Sequence, residues 1–545
     1  MKRLNRVLLI LLYLFAGNST AFAQDSVPVI EPAVGLTPVD WLIILAYAST
    51  TLWLGWRIGR KQESSREYFI GKGNIHPVLI GVSMFATLLS TISYLSMPGE
   101  ALGKGPGFMM SMLAYPVLFF IVGWWLLPVY MSQRVTSAYE LLEEKLGGEI
   151  RVVGASMFIA LRLVWMSLLV YLTAKAMSIM MGLDEDWVPA IAAAAGLVAV
   201  IYTSIGGLQA VVITDAMQTV LLFGGAVLVV CVISVDLGGF HWFPTEWNEN
   251  WDVQPLLPVN EAGSIDFGIR VTVFGVIINF LIWYVCTTGG DQVSVQRFMA
   301  TTDLNAARRA YGVQLLVATC VGVTLGVVGF ALLGYFSAHP ELIPAGKDLK
   351  GDADEFFPHF IAYHLPMGIS GLVVSAMFAA AMSSIDSGVN SITAVVMTDF
   401  VDKFRREPLN EKQHIFLARC LAFGIGAFVV ACSSLMEHVP GNITSVTQKT
   451  SNLLTTPIFC LFFFALFVPF ATKPGVIAGA IAGTATAVLI AFSGPIFGMD
   501  PETELDPVSF QWISPAAVIV NIGVGCVVSL LTPSRSAASD SETED

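Results

Sequence analysis

Charged residues are scarce in this sequence. Asp, Glu, Lys and Arg make up 13% of its 545 residues, about half of the roughly 25% that is usual in soluble domains. Hydrophobic residues account for 55%, and the mean hydropathy is +0.72. This composition leaves no room for a soluble catalytic domain, so we expect neither an enzyme nor a nucleic-acid partner.

Cysteine is also sparse. All seven cysteines lie inside apolar stretches, with no CxxC pair and no histidine cluster in the sequence. This pattern indicates neither a disulfide framework nor a metal site built from cysteine and histidine.

What the sequence has instead is a series of long apolar runs. Runs of about 20 residues, long enough to cross a hydrocarbon core of about 30 Å, recur with only short polar breaks. The sequence therefore predicts an all-α polytopic membrane protein in a lipid bilayer, with about 13 transmembrane helices. We place these at residues 39–57, 77–98, 107–131, 152–182, 187–205, 208–236, 267–288, 310–337, 367–398, 412–436, 444–470, 474–493 and 511–532.

The two ends of the chain differ from the rest. Residues 1–23 combine a basic start, an apolar stretch and an A-x-A pattern at Ala21 and Ala23. This combination is typical of a cleaved signal peptide, with an uncleaved first span as the alternative. The acidic tail, residues 533–545, is expected to be disordered.

Basic residues fall on one side of this arrangement. The loops after the first, third, seventh and ninth spans carry Lys and Arg, such as Arg297, Arg308 and Arg309 after the seventh, whereas the alternate loops are acidic. Because basic residues are retained in the cytoplasm, we expect a multi-pass protein of the plasma (inner) membrane. Its mature N-terminus would lie outside and its C-terminus in the cytoplasm.

Two aspartates lie where a charge is costly. Asp215 falls in the sixth span and Asp386 in the ninth. A carboxylate at mid-membrane costs roughly 2.5–3.5 kcal/mol even on insertion scales, so it is a functional residue by default.

The segment SAMFAAAMSSIDSGVNS surrounds Asp386 with oxygen atoms. Residues three and four apart share a helix face, so Ala380, Ser383, Ser384 and Ser387 form a strip beside it. A small hard cation prefers such oxygen ligands, and we expect sodium. Close helix packing by small residues is the alternative.

The second span predicts a partner for this strip. Its sequence, MFATLLSTISYLSMPGEALGKG, is rich in Ser and Thr and ends with Pro98 and three glycines. A helix broken in this stretch would provide backbone carbonyls as further cation ligands.

Several segments together resemble the sodium/solute symporter family, the family of the sodium/glucose cotransporters. They are EYFIGKG, TSAYELLEEKLG, YTSIGGLQA followed by ITD, DQVSVQRFMAT and AAAMSSIDS, in this order along the chain. The resemblance implies a LeuT-like fold, a 5+5 inverted repeat of helices around a central site. It implies an N-terminal segment with the first helix at 24–76, repeats at 77–236 and 267–470, and two further helices at 471–532.

The function that this resemblance implies is sodium-coupled symport, in which alternating access imports a small organic solute: a sugar, a sugar acid or another organic acid. Sodium is the coupling ion. Its expected ligands are the backbone carbonyls of Ala86, Leu89 and Ala380 and the hydroxyls of Ser383 and Ser384.

Some relatives bind a second sodium nearer the cytoplasm. The matching positions here are Asp215, Ser383, Asp386 and Ser387. Asp386 is a departure, because relatives often carry a neutral residue there. It could strengthen a second sodium site or hold a proton.

The resemblance also implies solute-binding residues, on the second, third, fourth and seventh spans. They are Ser90, Ser93, Tyr94, Phe108, Met112, Arg162, Trp165, Trp283, Tyr284 and Thr287. Sugar-transporting relatives carry glutamine where Ser93 stands, and sialic-acid relatives carry a carboxylate-binding arginine at the position of Trp165. Arg162, one turn earlier, could replace that arginine or could pair with an acid.

Other functions fit parts of the sequence. A proton-coupled transporter of the same fold would use Asp386, and a transporter-like sensor or channel would keep the fold without symport. Paired membrane aspartates are also the chemistry of an aspartyl protease, although no convincing catalytic pattern surrounds Asp215 or Asp386.

Overall fold

The computed structural model describes residues 36–60, 64–71, 73–133, 135–260, 262–438, 443–499 and 506–532. The predicted signal peptide and acidic tail lie outside these residues. Within them the regular structure is helical, apart from an isolated bridge between Val259 and Ile265.

The main helices take up most of the described chain. In order they are α1 (Pro38–Gly59), α2 (Ser65–Ile70), α3 (Pro77–Leu88), α4 (Thr91–Gly103), α5 (Pro106–Ser132), α6 (Glu140–Leu146), α7 (Gly148–Met181), α8 (Val188–Asp236), α9 (Val273–Gly290), α10 (Gln292–Met299), α11 (Leu304–Ala338), α12 (Ala353–Tyr363), α13 (Ile369–Phe404), α14 (Glu411–Met436), α15 (Ile443–Phe467), α16 (Lys473–Ala491), α17 (Ser493–Phe497) and α18 (Ile513–Leu531).

Side-chain caps define where several spans begin. Thr37, Thr272 and Asp303 each accept a hydrogen bond from a backbone N–H in the first turn of the helix that follows. Such caps satisfy donors that the start of a helix leaves without a partner.

The number of spans depends on how α8 is counted. Among the described residues, eleven helices are long and apolar enough to cross a membrane, and α3 with α4 adds a bent pair. The 49 residues of α8 would extend about 74 Å as one straight helix, but Gly207 has φ 60° and ψ −172°. The backbone leaves the helix there, in a conformation that glycine tolerates. Counting α8 as two spans, 188–206 and 208–236, agrees with the two spans that the sequence predicts there. The total of about 13 transmembrane helices stays a prediction.

The helices follow one order twice. Each series begins with a broken helix: α3 and α4 meet at an angle of 70°, and α9 and α10 are separated by extended backbone at Asp291. A short helix, α6 or α12, then stands between the second and third spans of each series. This order is the one that two repeats of five spans require.

Helix α13 lies at the centre. In its most apolar stretch 83% of the residues are buried, against 22% for α1. Non-helical backbone at membrane depth is tolerated where protein buries it or where it lines a cavity. We therefore expect a binding site at the breaks in α3–α4 and α9–α10.

Candidate functional site

The break between α3 and α4 contacts the serine-rich part of α13. Leu89 and Ser90 have extended backbone angles, φ/ψ −85°/106° and −96°/169°, so the helical ladder stops there. The Ser383 hydroxyl lies 2.7 Å from the carbonyl oxygen of Ala86 and 3.1 Å from that of Ala380, and it can donate to either. The break that the sequence predicted in the second span is therefore present, and oxygen atoms from both helices meet there.

Further hydrogen bonds join both sides of the break to α13. The Ser384 hydroxyl donates to the carbonyl oxygen of Thr87 at 3.1 Å, and the Thr91 hydroxyl at the start of α4 donates to the carbonyl oxygen of Met377 at 3.1 Å. The structure thus gathers the residues predicted to bind sodium at one junction, the α3–α13 junction. Carbonyl and hydroxyl oxygens are the ligand types that hard cations prefer.

Asp215, predicted to bind a second sodium, pairs with an arginine. Its Oδ2 accepts a hydrogen bond from the Ser83 hydroxyl at 2.5 Å and lies 3.3 Å from Nη2 of Arg297. Arg297 also donates to Ser387 Oγ at 2.5 Å and to Ser83 Oγ at 2.9 Å. Arg297 is fully buried, rather than exposed in a cytoplasmic loop as its place after the seventh span indicated.

Asp386 contacts a different group. Its Oδ1 accepts a hydrogen bond from the Thr203 hydroxyl of α8 at 2.5 Å, and its Oδ2 has no hydrogen-bond partner among the described residues. Ser387, the next residue, contacts the Thr87 hydroxyl at 2.8 Å as well as Arg297. The residues predicted for a second sodium therefore fall into three hydrogen-bonded groups: Asp215 and Ser387 contact Arg297, Asp386 contacts Thr203, and Ser383 contacts the carbonyl oxygens of Ala86 and Ala380.

A cavity of about 140 Å³ adjoins the break. Thr87, Leu88 and Leu89 form part of its wall, so the cavity lies directly beside the α3–α13 junction. Eight of the ten residues predicted to bind solute line it: Ser93, Phe108, Met112, Arg162, Trp165, Trp283, Tyr284 and Thr287.

Ser90 and Tyr94 are the two predicted solute residues that the structure places outside the cavity wall. Ser90 Oγ instead accepts a hydrogen bond from the backbone N–H of Ser93 and caps α4. Tyr94 packs against Phe357, with ring centroids 5.6 Å apart. On α4 the side chain of Tyr94 points about 100° away from that of Ser93, and Ser93 is the one of the two that lines the cavity.

Sequence reasoning did not single out several residues of the wall. Among the described residues these include Asp291, Gln314 and a set of polar side chains on α15: Thr447, Gln448, Ser451 and Thr455. The spacing of three or four on α15 puts that set on one helix face. A polar stripe in an apolar span is a pattern from which the sequence alone could have predicted that these residues line a polar cavity.

The wall is neutral overall but contains one ion pair. Arg162 and Asp291 are the charged residues among the described wall residues, and they contact each other. Several buried polar atoms of the wall have no hydrogen-bond partner among the described residues: Arg162 Nε, Trp283 Nε1, Thr287 Oγ1, Gln314 Oε1 and Thr447 Oγ1. Buried polar groups are nearly always hydrogen-bonded, so these atoms point to a ligand or water that offers donors and acceptors.

A second set of ion pairs includes Glu143 of α6, a short helix outside the spans. Lys403 and Arg151 contact Glu143 at 2.7 and 2.6 Å, and their hydrogen bonds hold the pKa of Glu143 below its ordinary value. Arg151 also contacts Asp399 at 2.6 Å. These contacts join α6 to the adjacent ends of α7 and α13.

Known proteins resemble this chain over most of its length. The model of the sodium:solute symporter family matches residues 68–483. The sodium/sialic acid symporter NanT of Aliivibrio fischeri is 27% identical over 83% of this chain and 87% of its own. The sodium/sialic acid symporter SiaT of Proteus mirabilis is 27% identical over 81% of this chain and 87% of its own.

A solved structure shows the same fold. A substrate-bound, outward-open sodium-coupled sialic acid symporter matches 91% of this chain and 98% of its own, with a TM-score of 0.74 at 23% identity. The predicted all-α, LeuT-like fold is thereby confirmed. Together with the family match over most of the chain, the broken helices and the central cavity place this multi-pass membrane protein in the sodium:solute symporter family, whose members are transporters that couple solute movement to sodium.

Proposed function

We propose that this protein imports a small organic solute with sodium by alternating access, and that the sodium binds at the α3–α13 junction. The contact that carries the proposal is the Ser383 hydroxyl, which lies within hydrogen-bond distance of carbonyl oxygens on both helices. The proposed ligands are the carbonyl oxygens of Ala86, Leu89 and Ala380 and the hydroxyls of Ser383 and Ser384.

Sodium at this junction would couple ion and solute through the broken helix. The ion would hold the α3–α4 break against α13, and the same break forms part of the cavity wall. A ligand stabilises the state that it binds more tightly, and the effect of sodium on solute affinity equals the effect of solute on sodium affinity. A membrane potential of about 100 mV adds roughly 2.3 kcal/mol per charge moved through the full field.

A second sodium is proposed at Asp386 rather than at Asp215. The Oδ2 atom of Asp386 has no partner among the described residues, whereas Asp215 and Ser387 both contact Arg297. The positive charge of Arg297 already neutralises Asp215, so Asp215 and Ser387 would join a cation site only after Arg297 had moved away.

The solute is proposed to bind in the cavity, against the eight predicted residues that line it. A sugar, a sugar acid or another organic acid would match the unpartnered donors and acceptors of the wall. The cavity of about 140 Å³ is close in size to an engineered cavity of about 150 Å³ that holds benzene. A cavity of this size has room for a small organic solute.

The domain boundaries and the orientation are part of the same proposal. The two repeats would extend over 77–236 and 267–470, after an N-terminal helix within 24–76 and before two further helices within 471–532. In the plasma (inner) membrane the N-terminus would lie outside and the C-terminus in the cytoplasm.

Thermal unfolding of the purified protein in sodium chloride and in choline chloride tests the sodium site. Sodium should raise the melting temperature, because an ion that binds the folded state stabilises it by mass action. The double variant Ser383→Ala/Ser384→Ala should lose this shift. Ser375→Ala is the matched control, since Ser375 is a buried serine of the same helix whose hydroxyl donates within that helix to Gly371 at 2.7 Å.

The result that contradicts the proposed site is a sodium shift of the same size in the double variant. Uptake of labelled solute into proteoliposomes completes the test. Transport should require an inward sodium gradient in the wild type and in Ser375→Ala, and should need more sodium in the double variant.

A further inference from the structure

The C-terminal end of α1 carries two tryptophans and two arginines on one helix face. They are Trp53, Trp56, Arg57 and Arg60. These residues are three or four apart, the spacing that makes side chains neighbours on a helix surface, and all four are exposed. Only 22% of the residues in the most apolar stretch of α1 are buried. The face is therefore open to the surrounding lipid.

Each arginine lies over the ring of the tryptophan four residues before it. The Cζ atom of Arg57 is 5.1 Å from the centroid of the Trp53 ring, and that of Arg60 is 4.4 Å from the centroid of the Trp56 ring. Among the described residues neither guanidinium has a carboxylate partner. Stacking occupies the face of a guanidinium and leaves the N–H groups in its plane able to donate. Two cations without a counter-charge thus lie beside tryptophans, which in membrane proteins mark the level of the headgroups.

A third arginine, from α14, contacts the same end of α1. The Nη2 atom of Arg419 donates to the carbonyl oxygen of Gly59 at 3.1 Å, and Gly59 is the residue before Arg60. The Nε atom of Arg419 is buried and has no hydrogen-bond partner among the described residues. Guanidinium groups from two helices therefore meet at one place, with N–H donors available for the oxygen atoms of a phosphate.

An apolar groove lies next to these arginines, between α1 and α14. On one side of α8, Ile205 lies against Gly59 of α1. On another side of α8, Val200 lies against Gly426 of α14. Successive residues of a helix are rotated by about 100°, so Ile201 points between these two contacts. Ile201 is 42% exposed, and its side chain is open to an acyl chain that enters between the two helices.

We propose that this end of α1 is a binding site for an anionic phospholipid, whose phosphate contacts Arg57, Arg60 and Arg419. Its acyl chain would lie in the groove beside Ile201. The end of α1 is cytoplasmic in the predicted orientation, and basic side chains at the cytoplasmic ends of spans are a general means of binding anionic headgroups. A bound lipid would link α1 to α14 across α8. The site depends neither on sodium nor on the solute cavity.

The occupant follows from the combination of charge and apolar surface. A soluble phosphate has no acyl chain for the groove, so it would use the arginines alone. A zwitterionic lipid has the acyl chains but offers the arginines no net negative charge. An anionic phospholipid is the ligand that matches both parts of the site.

Native mass spectrometry of the purified full-length protein in detergent tests the site. Dioleoyl phosphatidylglycerol is the anionic probe, and dioleoyl phosphatidylcholine has the same acyl chains without net charge. Each basic residue near the headgroups contributes about fivefold to lipid affinity, so the anionic lipid should bind at least about tenfold more tightly than the zwitterionic lipid. An excess of glycerol 3-phosphate should not displace it.

Variants test the arginines one by one. Arg57→Gln, Arg60→Gln and Arg419→Gln should each weaken binding of the anionic lipid about fivefold, and Arg57→Gln/Arg60→Gln about 25-fold. Binding of the zwitterionic lipid should stay unchanged. Arg57→Lys/Arg60→Lys keeps both charges but stacks less well on the rings, so its affinity should lie between those of the wild type and the double glutamine variant.

Arg308→Gln is the matched control. Arg308 of α11 also lies over a tryptophan ring, with its Cζ atom 4.6 Å from the centroid of Trp124, but its Nε donates to the carbonyl oxygen of Gly123 at 2.8 Å. Its affinity for the anionic lipid should equal that of the wild type. The melting temperature without added lipid should be that of the wild type in the variants of Arg57 and Arg60, because both residues are exposed.

Four results would overturn the proposal. Equal affinity for the two lipids would remove the role of charge, and unchanged affinity in Arg57→Gln/Arg60→Gln would remove the role of these two arginines. A loss in Arg308→Gln as large as that in Arg60→Gln would indicate general attraction to a basic surface. Displacement by glycerol 3-phosphate would indicate a site for a soluble phosphate instead of a lipid.

Discussion

Two buried arginine–aspartate pairs can be compared within this molecule. Arg297 pairs with Asp215 and also donates to two serine hydroxyls and to the carbonyl oxygen of Val293. Arg162 pairs with Asp291 at the cavity wall, and its Nε has no partner among the described residues. Arg297 thus has several hydrogen-bond partners besides its aspartate, whereas Arg162 has a buried N–H donor without one among the described residues.

The difference between the two pairs shows that a buried arginine can have two different roles. Arg297 lies on α10 and contacts residues of α3, α8 and α13. In the predicted orientation α3 and α10 are the cytoplasmic halves of the two broken helices. Arg297 therefore joins these two halves to the helices around them. Arg162 lies where a ligand can reach it. We therefore interpret the Arg297–Asp215 pair as a structural joint and propose that Arg162 is a binding group of the cavity.

Loss of Arg297 should have the largest effect on stability. Arg297→Gln leaves Asp215 as a buried charge without its partner, which costs about 3–5 kcal/mol. The melting temperature in sodium chloride should therefore fall further than it does on loss of Arg162 or Glu143. A fall no larger than that of Arg308→Gln would contradict the role of Arg297 as a joint.

Loss of Arg162 should affect solute binding more than stability. In Arg162→Gln the partner Asp291 keeps its helix-capping hydrogen bond and faces a cavity that water can enter, so we expect a loss of roughly 1–3 kcal/mol. The comparison holds if the melting temperature of Arg162→Gln lies between those of wild type and Arg297→Gln while its solute affinity falls. Equal destabilisation by both substitutions would remove the distinction.

Asp386 offers a third case, an aspartate without a cationic partner among the described residues. Asp386→Asn removes a buried charge that nothing neutralises, so stability in choline chloride should stay equal or rise by about 1 kcal/mol. The same substitution should weaken sodium dependence if a second sodium binds there. Asp215→Asn is the contrasting variant, and it should lose stability because Arg297 is left unpaired.

The smallest effect is expected at Glu143, outside the spans. Its pKa is held down by Lys403 and Arg151, so its ion pairs stabilise the fold above the unfolded pKa of about 4.3 and stop doing so as the pH falls through the lower folded value. Because Glu143 is partly exposed, Glu143→Gln should cost less than about 1 kcal/mol at neutral pH, and salt should reduce the cost. A larger cost at high salt would contradict this view.

Much of the solute cavity could be predicted, because the resemblance carried residues over one by one. Eight of ten predicted residues line the cavity, whereas Ser90 caps α4 and Tyr94 packs against Phe357. The polar stripe on α15 was readable from its spacing alone. The partner of Arg162 was not, since Asp291 is 129 residues away and nothing local links the two.

The sequence by itself determined the class of the protein. Apolar length, the serine strip beside Asp386 and the ordered motifs were enough for a membrane transporter of this family, because each depends on spacing within one helix or on local composition. Only the tertiary structure decided which charges meet: Arg297 with Asp215, Arg162 with Asp291, and Asp386 with a hydroxyl alone. Pairing between helices depends on how they pack and rotate against one another, and in a low-dielectric interior that pairing sets what each charge can do.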